Sequence, residues 1–127
     1  KRKGADITLL TYSRQLLYSL EAAKELEGEG ISVEVIDLRT LLPLDMETII
    51  ASVKKTNRVI IVEEDTKTAG AGAEIGMQIM ESAFDYLDAP IKRLAGADVP
   101  MPKSPVLEAI AIPSKDTIKS AVKEMLK

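Results

Sequence analysis

At 127 residues, with 46% apolar and 29% charged side chains, the chain is sized for one folded domain and too apolar for a disordered tail. It holds no Cys and no His, which removes disulfides, thiolate nucleophiles, Ser-His-Asp triads and the usual zinc ligand sets. A net charge of −3 speaks against a general polyanion binder, and no apolar run nears the roughly 20 residues of a membrane span.

Aromatic residues are three Tyr and one Phe, so the core is expected to be aliphatic. The start, Lys1-Arg2-Lys3-Gly4, has neither an initiator Met nor a secretory signal, so a piece of a longer polypeptide is expected, folded as one domain over 1–127. The first strand is Ile7-Thr8-Leu9-Leu10, followed by Ser13 as N-cap of a helix carrying Leu16, Leu17, Leu20, Ala23 and Leu26. Gly28 and Gly30 end that helix, and a second strand follows over Ile31 to Ile36. Asp45 caps a short helix from Met46 to about Val53. Arg58-Val59-Ile60-Ile61-Val62 is an unbroken β-branched run, as suits a strand covered on both faces.

A loop from Glu63 to Gly70 then leads into a helix from roughly Gly72 to Tyr86. Its single apolar face is read as Ile75, Met77, Ile79, Met80, Ala83 and Phe84. A fourth, weaker strand is expected over Ile91 to Leu94. Ala95 to Pro113 holds four of the six prolines and reads as an extended loop with room for one short strand. Ser114 caps the last helix, which carries Ile118, Ala121, Val122, Met125 and Leu126. Strand and helix alternate throughout. That pattern calls for right-handed parallel crossovers and a three-layer α/β/α sandwich.

Gly70-Ala71-Gly72-Ala73-Glu74-Ile75-Gly76 invites a dinucleotide reading, since glycines between strand and helix can cradle phosphate on a helix N-terminus. The spacing argues otherwise. About seven residues separate Val62 from Gly70, and Gly76 follows Gly72 by four positions where the fingerprint has three. Glu63, Glu64, Asp65 and Glu74 also make a poor surface for pyrophosphate. Asp37, Glu63, Glu64 and Asp65 stand at the carboxyl edge of the strands, where α/β sheets keep ligands. Without His or Cys beside them they read as solvated strand ends and caps. Lys115, Lys119, Lys123 and Lys127 recur every four residues, the pattern of a solvated helix face. No basic stretch is interleaved with aromatics, which excludes ordinary nucleic-acid readers. The residues by themselves describe an α/β domain with no catalytic constellation.

Seven strings change that reading: Glu34-Val35-Ile36-Asp37-Leu38-Arg39-Thr40-Leu41, Pro43-Leu44-Asp45, Ser52-Val53-Lys54-Lys55-Thr56, Val62-Glu63-Glu64, Gly70-Ala71-Gly72-Ala73-Glu74, Phe84-Asp85-Tyr86-Leu87-Asp88-Ala89-Pro90 and Asp98-Val99-Pro100-Met101-Pro102. In this order the chain resembles the C-terminal, transketolase-C-like domain of the β subunit of thiamine-diphosphate-dependent 2-oxo acid dehydrogenases, which serve the pyruvate, acetoin and branched-chain complexes. The resemblance runs from about Gly4 to Leu126.

The resemblance implies a mostly parallel sheet of five strands, with the extra strand in the Pro-rich region. It implies a parent that oxidatively decarboxylates a 2-oxo acid, pyruvate foremost, and passes the acyl group to lipoamide. Thiamine diphosphate and magnesium belong to the rest of that parent, so no catalytic, cofactor-binding or metal residue is carried over. No cofactor is expected on this domain alone. Implied partners are an α subunit, a second β subunit, and the peripheral-subunit-binding module of the dihydrolipoyl acyltransferase. Neither nucleic acid nor membrane is among them. That module is expected at Asp88 and at the C-terminal carboxylate, here of Lys127 if it is the native end. The segment of Gly70, Gly72 and Glu74 is expected at the contact between β subunits. The compartment implied is the bacterial cytoplasm or the mitochondrial matrix. Alternatives are the matching domain of a transketolase or deoxyxylulose-phosphate synthase, or a free nucleotide-binding α/β domain.

The chain departs from the family pattern at Asp65-Thr66, where a Gly-Trp pair is common, at Lys103-Ser104, where Tyr-Ala is usual, and at Leu17-Tyr18, where a His is frequent.

Overall fold

The aliphatic runs become strands and the periodic stretches helices, as a computed structural model shows for residues 2–38, 45–66, 71–96 and 113–127. In chain order these are β1 (Ile7–Thr11), α1 (Gln15–Glu27), β2 (Val33–Asp37), α2 (Met46–Thr56), β3 (Val59–Thr66), α3 (Ala71–Ala83), a 3₁₀ turn (Phe84–Tyr86), β4 (Lys92–Gly96) and α4 (Lys115–Met125). The strands form one sheet in the order β2-β1-β3-β4, and every pairing between them is parallel. An antiparallel bridge joins Arg2 to Val35. Four strands are present among the described residues where five were expected. The expected fifth belongs to the Pro-rich stretch, and residues 97–112 lie outside those described.

Both faces of the sheet are covered, which is why its strands read as continuous apolar runs. One core joins Ile7, Leu9, Val33, Val35, Ile60 and Val62 to Ala22, Ala23 and Leu26 of α1 and to Ile118, Ala121 and Val122 of α4. The other joins Leu10, Val59 and Ile61 to Ile49 and Val53 of α2 and to Ile75, Ile79 and Ala83 of α3. A buried hydroxyl cluster ties α2 down, with Thr8 Oγ1 lying 2.6 Å from the hydroxyls of both Ser52 and Thr56. Asp45 and Ser114 cap α2 and α4 as expected, accepting from the Thr48 and Thr117 amides.

Three local readings are corrected. Ser13 does not cap α1; it sits at φ 58°, and Arg14 takes the N-cap position with no capping hydrogen bond from its side chain. The inward face of α1 is turned toward Gln15, Ser19, Ala22, Ala23 and Leu26, leaving Leu17 61% exposed. Leu16 and Leu20 still pack against the core from its margin. Finally, β3 does not stop at Val62 but continues to Thr66, carrying Glu63 and Glu64 within the strand. The β3–β4 ladder slips between Val62 and Thr66, an irregularity that re-aims side chains at that point.

The lysines of α4 do more than face solvent. Lys115 pairs with Glu25 at 2.8 Å, Lys119 with Glu25 at 3.0 Å, and Lys123 with Glu29 at 2.6 Å. Partner numbers rise together along the two helices, so α1 and α4 run parallel. Hydrogen bonds from Lys115 and Lys119 hold the Glu25 carboxyl below its usual 4.5, and one from Lys123 does so for Glu29. The same bonds to Glu25 raise Lys115 and Lys119 above 10.5.

A carboxyl lowered in the fold stabilises it above the unfolded value, and that contribution is lost as pH falls through the folded one. A lysine raised in the fold contributes fully below its unfolded value and loses this as pH rises through the raised one. The melting temperature is therefore expected to fall below about pH 4.5 and again above about pH 10.5. Glu25→Gln should flatten both limbs in a pH series of thermal melts. Unchanged limbs would show that the ladder contributes nothing measurable.

Candidate functional site

Glu63 is the residue the sequence reading placed most wrongly. Its side chain is fully buried, not a solvated strand end. Oε2 accepts from the Gly72 amide at 2.7 Å, and Oε1 accepts from Arg93 Nη2 at 2.9 Å. The Tyr12 hydroxyl also points at Oε2, 3.5 Å away. Three elements thus meet on one strand residue: the end of β1, the first turn of α3, and β4. A Cβ added to Gly72 would lie 2.6 Å from Glu63 Oε1 and 2.8 Å from its Cδ, so only glycine leaves room for the carboxylate. Next door, Glu64 accepts from Arg14 Nε at 2.6 Å, and the Gln15 amide donates to the Pro113 carbonyl at 3.0 Å.

Helix N-termini attract anions because their first amides lack partners within the helix. At α3 the anion is internal. The Gly72 amide that a phosphate would use is spent on Glu63, which gives a structural reason to disfavour the dinucleotide reading. Among the described residues, no group of three or more His, Cys, Asp or Glu is placed to hold a metal ion.

The open surface lies along α3 toward its other end. The helix carries two apolar stripes rather than the single face expected. Ile75, Ile79 and Ala83 are at most 1% exposed, whereas Met77 is 56%, Met80 40% and Phe84 60% exposed. Between the outer stripe and the segment Leu87, Pro90 and Ile91 runs a groove of about 690 Å³, with Asp88 and Arg93 also in its lining.

Asp88 is exposed, and its loop is pinned by Asn57. The Asp88 amide donates to the Asn57 carbonyl at 2.9 Å, and Asn57 Nδ2 donates to the Tyr86 carbonyl at 2.7 Å. Asn57 itself adopts φ 63° as the left-handed C-cap of α2, and Lys54 Nζ sits 5.0 Å from the Tyr86 ring centre. Sequence reasoning missed Asn57. Its signal was Asn directly after the helix ending Lys54-Lys55-Thr56, a place where Asn tolerates the left-handed turn.

The expected site residues fall at two ends of the sheet. Asp88 lies at the edge where β3 begins, and α4, parallel to α1, brings the exposed Lys127 toward that same edge from the opposite layer. No bond joins the two. Gly72 and Glu74 lie at the other edge, one buried under Glu63 and the other exposed and accepting from Gln78 at 3.1 Å. Gly70 is outside the described residues.

A parallel α/β sandwich with a capped, two-striped helix beside its third strand defines the class of domain. Residues 1–118 match the family described as Transketolase, C-terminal domain, and the chain belongs to that family. It is 55% identical to a mitochondrial pyruvate dehydrogenase E1 component subunit beta of Saccharomyces cerevisiae, over 99% of this chain and 35% of that one. It is 52% identical to the mitochondrial subunit beta-2 of Oryza sativa subsp. japonica, over 97% of this chain and 33% of that one. With the subunit beta of Rickettsia felis it shares 51%, over 98% of this chain and 38% of that one. The chain thus spans about a third of the length of these curated relatives. A solved split-gene transketolase, described as an inactive beta4 tetramer, superposes with a TM-score of 0.83 at 28% identity, covering 98% of this chain and 39% of that one.

Removing one partner of a buried ion pair costs about 3–5 kcal/mol, because the other charge is left behind. Arg93 is 18% exposed, so Glu63→Ala is expected near the lower end, about 3 kcal/mol, in urea unfolding. Glu63→Leu combined with Arg93→Leu should cost clearly less than the sum of the single changes. Gly72→Ala should cost about 1–3 kcal/mol through overpacking against the carboxylate. Additive single effects, or a neutral Gly72→Ala, would mean the three residues do not act together.

Proposed function

We propose that this chain is the transketolase-type domain of the β subunit of a 2-oxo acid dehydrogenase, of the pyruvate type, and acts in assembly rather than bond-making. The observation that carries this is identity of 51 to 55% to pyruvate dehydrogenase β subunits across nearly the whole chain. In the parent reaction a 2-oxo acid is oxidatively decarboxylated and the acyl group passes to lipoamide. Thiamine diphosphate and magnesium supply the decarboxylation chemistry there, and this reading assigns them no contact with the described residues. Relatives are named from bacteria and from mitochondria, which supports the bacterial cytoplasm or the mitochondrial matrix as compartment.

In this reading the partners are an α subunit, a second β subunit and the acyltransferase's peripheral-subunit-binding module. Asp88 receives basic side chains of that module, together with the Lys127 carboxylate where Lys127 ends the native chain. Support comes from the exposed Asp88 carboxylate and from Asn57, which holds its loop by two hydrogen bonds. Contact with a second β subunit uses the segment of Gly70, Gly72 and Glu74. The tetrameric split-gene transketolase supports self-association of such domains. With Gly72 filled from within by Glu63, that contact would use the exposed Ala73 and Glu74.

Charge pairs at an interface speed association and make it salt-sensitive. Asp88→Ala is expected to weaken binding of the module at least about tenfold at low salt, roughly 1.4 kcal/mol, and to reduce its salt dependence. Asn57→Ala should weaken it in the same direction by loosening the loop. Calorimetric titration at two salt concentrations reads both. Affinity within about threefold of wild type for Asp88→Ala would contradict the docking role.

A further inference from the structure

Arg2-Lys3-Gly4-Ala5-Asp6 contains no large apolar side chain, so hydrophobic burial gives it little reason to lie on the domain. Its backbone nonetheless follows the outer edge of β2, antiparallel to it. The Arg2 amide donates to the Val35 carbonyl at 3.1 Å, and the Val35 amide donates back to the Arg2 carbonyl at 2.8 Å. Further along, the Gly4 amide donates to Glu34 Oε1 at 3.1 Å, and the Ala5 amide to Ser32 Oγ at 3.0 Å. Asp6 closes the run in both directions. Its amide donates to the Ser32 carbonyl at 2.8 Å, and its Oδ2 accepts from the Ser32 amide at 2.7 Å. Side chains add to the hold: Arg2 pairs with Glu27 of α1, and Lys55 of α2 pairs with the same Glu34 oxygen that Gly4 uses. Only glycine fits at the fourth position. A Cβ there would overlap the Val33 carbonyl carbon and the Glu34 amide nitrogen, and backbone atoms have no rotamer by which to step aside.

The edge so covered is one that needs covering. β2 ends the sheet order β2-β1-β3-β4. An edge strand offers outward amides and carbonyls on which another strand can pair. These groups alternate in direction along a strand, so Val33 and Asp37 turn theirs outward with Val35. A second copy of β2 laid antiparallel on this edge, Val35 opposite Val35, would make the same two bonds that Arg2 makes. In that register Glu34 faces Ile36 and Val33 faces Asp37, so no like charges stand directly opposite. The side chains of β2 therefore do not forbid self-pairing; the arm stands in its way.

We propose that Arg2–Asp6 is an edge strap, which Gly4 lets lie against β2 and Glu34 latches there. In place, it keeps β2 from pairing with β2 of a second copy, and its release opens that surface. Pairing there would continue the sheet across a two-fold axis. The strap shares no residue with the Asp88 loop or with α3, so it goes beyond the docking reading and stands without it.

Amide exchange at Val35 reads the strap directly, because the amide's partner is Arg2. In the wild-type protein Val35 should be protected equally at micromolar and millimolar concentration. Gly4→Ala should lower that protection at least about fivefold in dilute solution and leave buried Ile61 unchanged. A variant lacking residues 1–5 should expose Val35 when dilute and regain its protection at millimolar concentration, where a dimer sediments. A dimer formed through α3 would leave Val35 exposed, so the two contacts are told apart. If removing the arm unfolds the domain, Gly4→Ala carries the same concentration series, with Ile61 reporting the intact core. Three results would overturn the proposal: fast exchange of Val35 in the wild-type protein, a smaller loss than this in Gly4→Ala, or a released edge whose Val35 stays exposed at millimolar concentration.

Discussion

Taking a carboxylate out of water costs several kcal/mol, and that cost is recovered only where donors converge on both oxygens. Glu63 meets the condition with Arg93 on one oxygen and the Gly72 amide on the other, while the Tyr12 hydroxyl stands at the edge of hydrogen-bonding range. The donors come from separate parts of the chain, so the carboxylate is a joint as well as a cap. It sets how the head of α3 meets β3, and how β4 lies against β3 just where their ladder slips. With α3 and β4 placed, the walls of the groove between them are placed too.

The same joint divides the molecule by chemistry. At the carboxyl edge, the usual ligand position of α/β sheets, Glu63 and Glu64 are spent on Arg93, Gly72 and Arg14. At the opposite edge, Asp88 stays exposed on a loop that Asn57 holds in place. Along the flank between them the outer stripe of α3 faces out, rimmed by carboxylates. Reactive-looking residues at the carboxyl edge are bonded internally, and the open face of α3 is apolar with exposed carboxylates beside it. The proposed role in assembly follows from that division.

Much of this was legible in the amino-acid order. The Val59 to Val62 run, the caps at Asp45 and Ser114, and the strand–helix alternation each rest on local spacing, and each was found. What escaped depends on tertiary geometry. Glu63 looked like a solvated strand end because nothing local shows a strand running four residues further, or an arginine thirty positions away arriving beside it. Leu17 looked internal because leucine is apolar, yet α1 turns small and polar residues inward instead. The apolar face of α3 was read as one because periodicity counts apolar positions without saying how many partners they serve. Gly72 was expected at a contact between β subunits; within the fold its close neighbour is the chain's own Glu63 carboxylate. Asp88 came from resemblance alone; the Asn57 contacts that hold it are visible only in the fold.

The account turns on whether the Gly72 amide is bonded to Glu63. As one of the first amides of α3 it would ordinarily lack a partner within the helix and exchange freely with solvent. Site-resolved hydrogen exchange of the purified protein reads this directly. Protection of Gly72 close to that of Ile61 in the buried strand, lost on Glu63→Ala, is the predicted result. Fast exchange of Gly72 in the wild-type protein, like that of an open helix end, would contradict it.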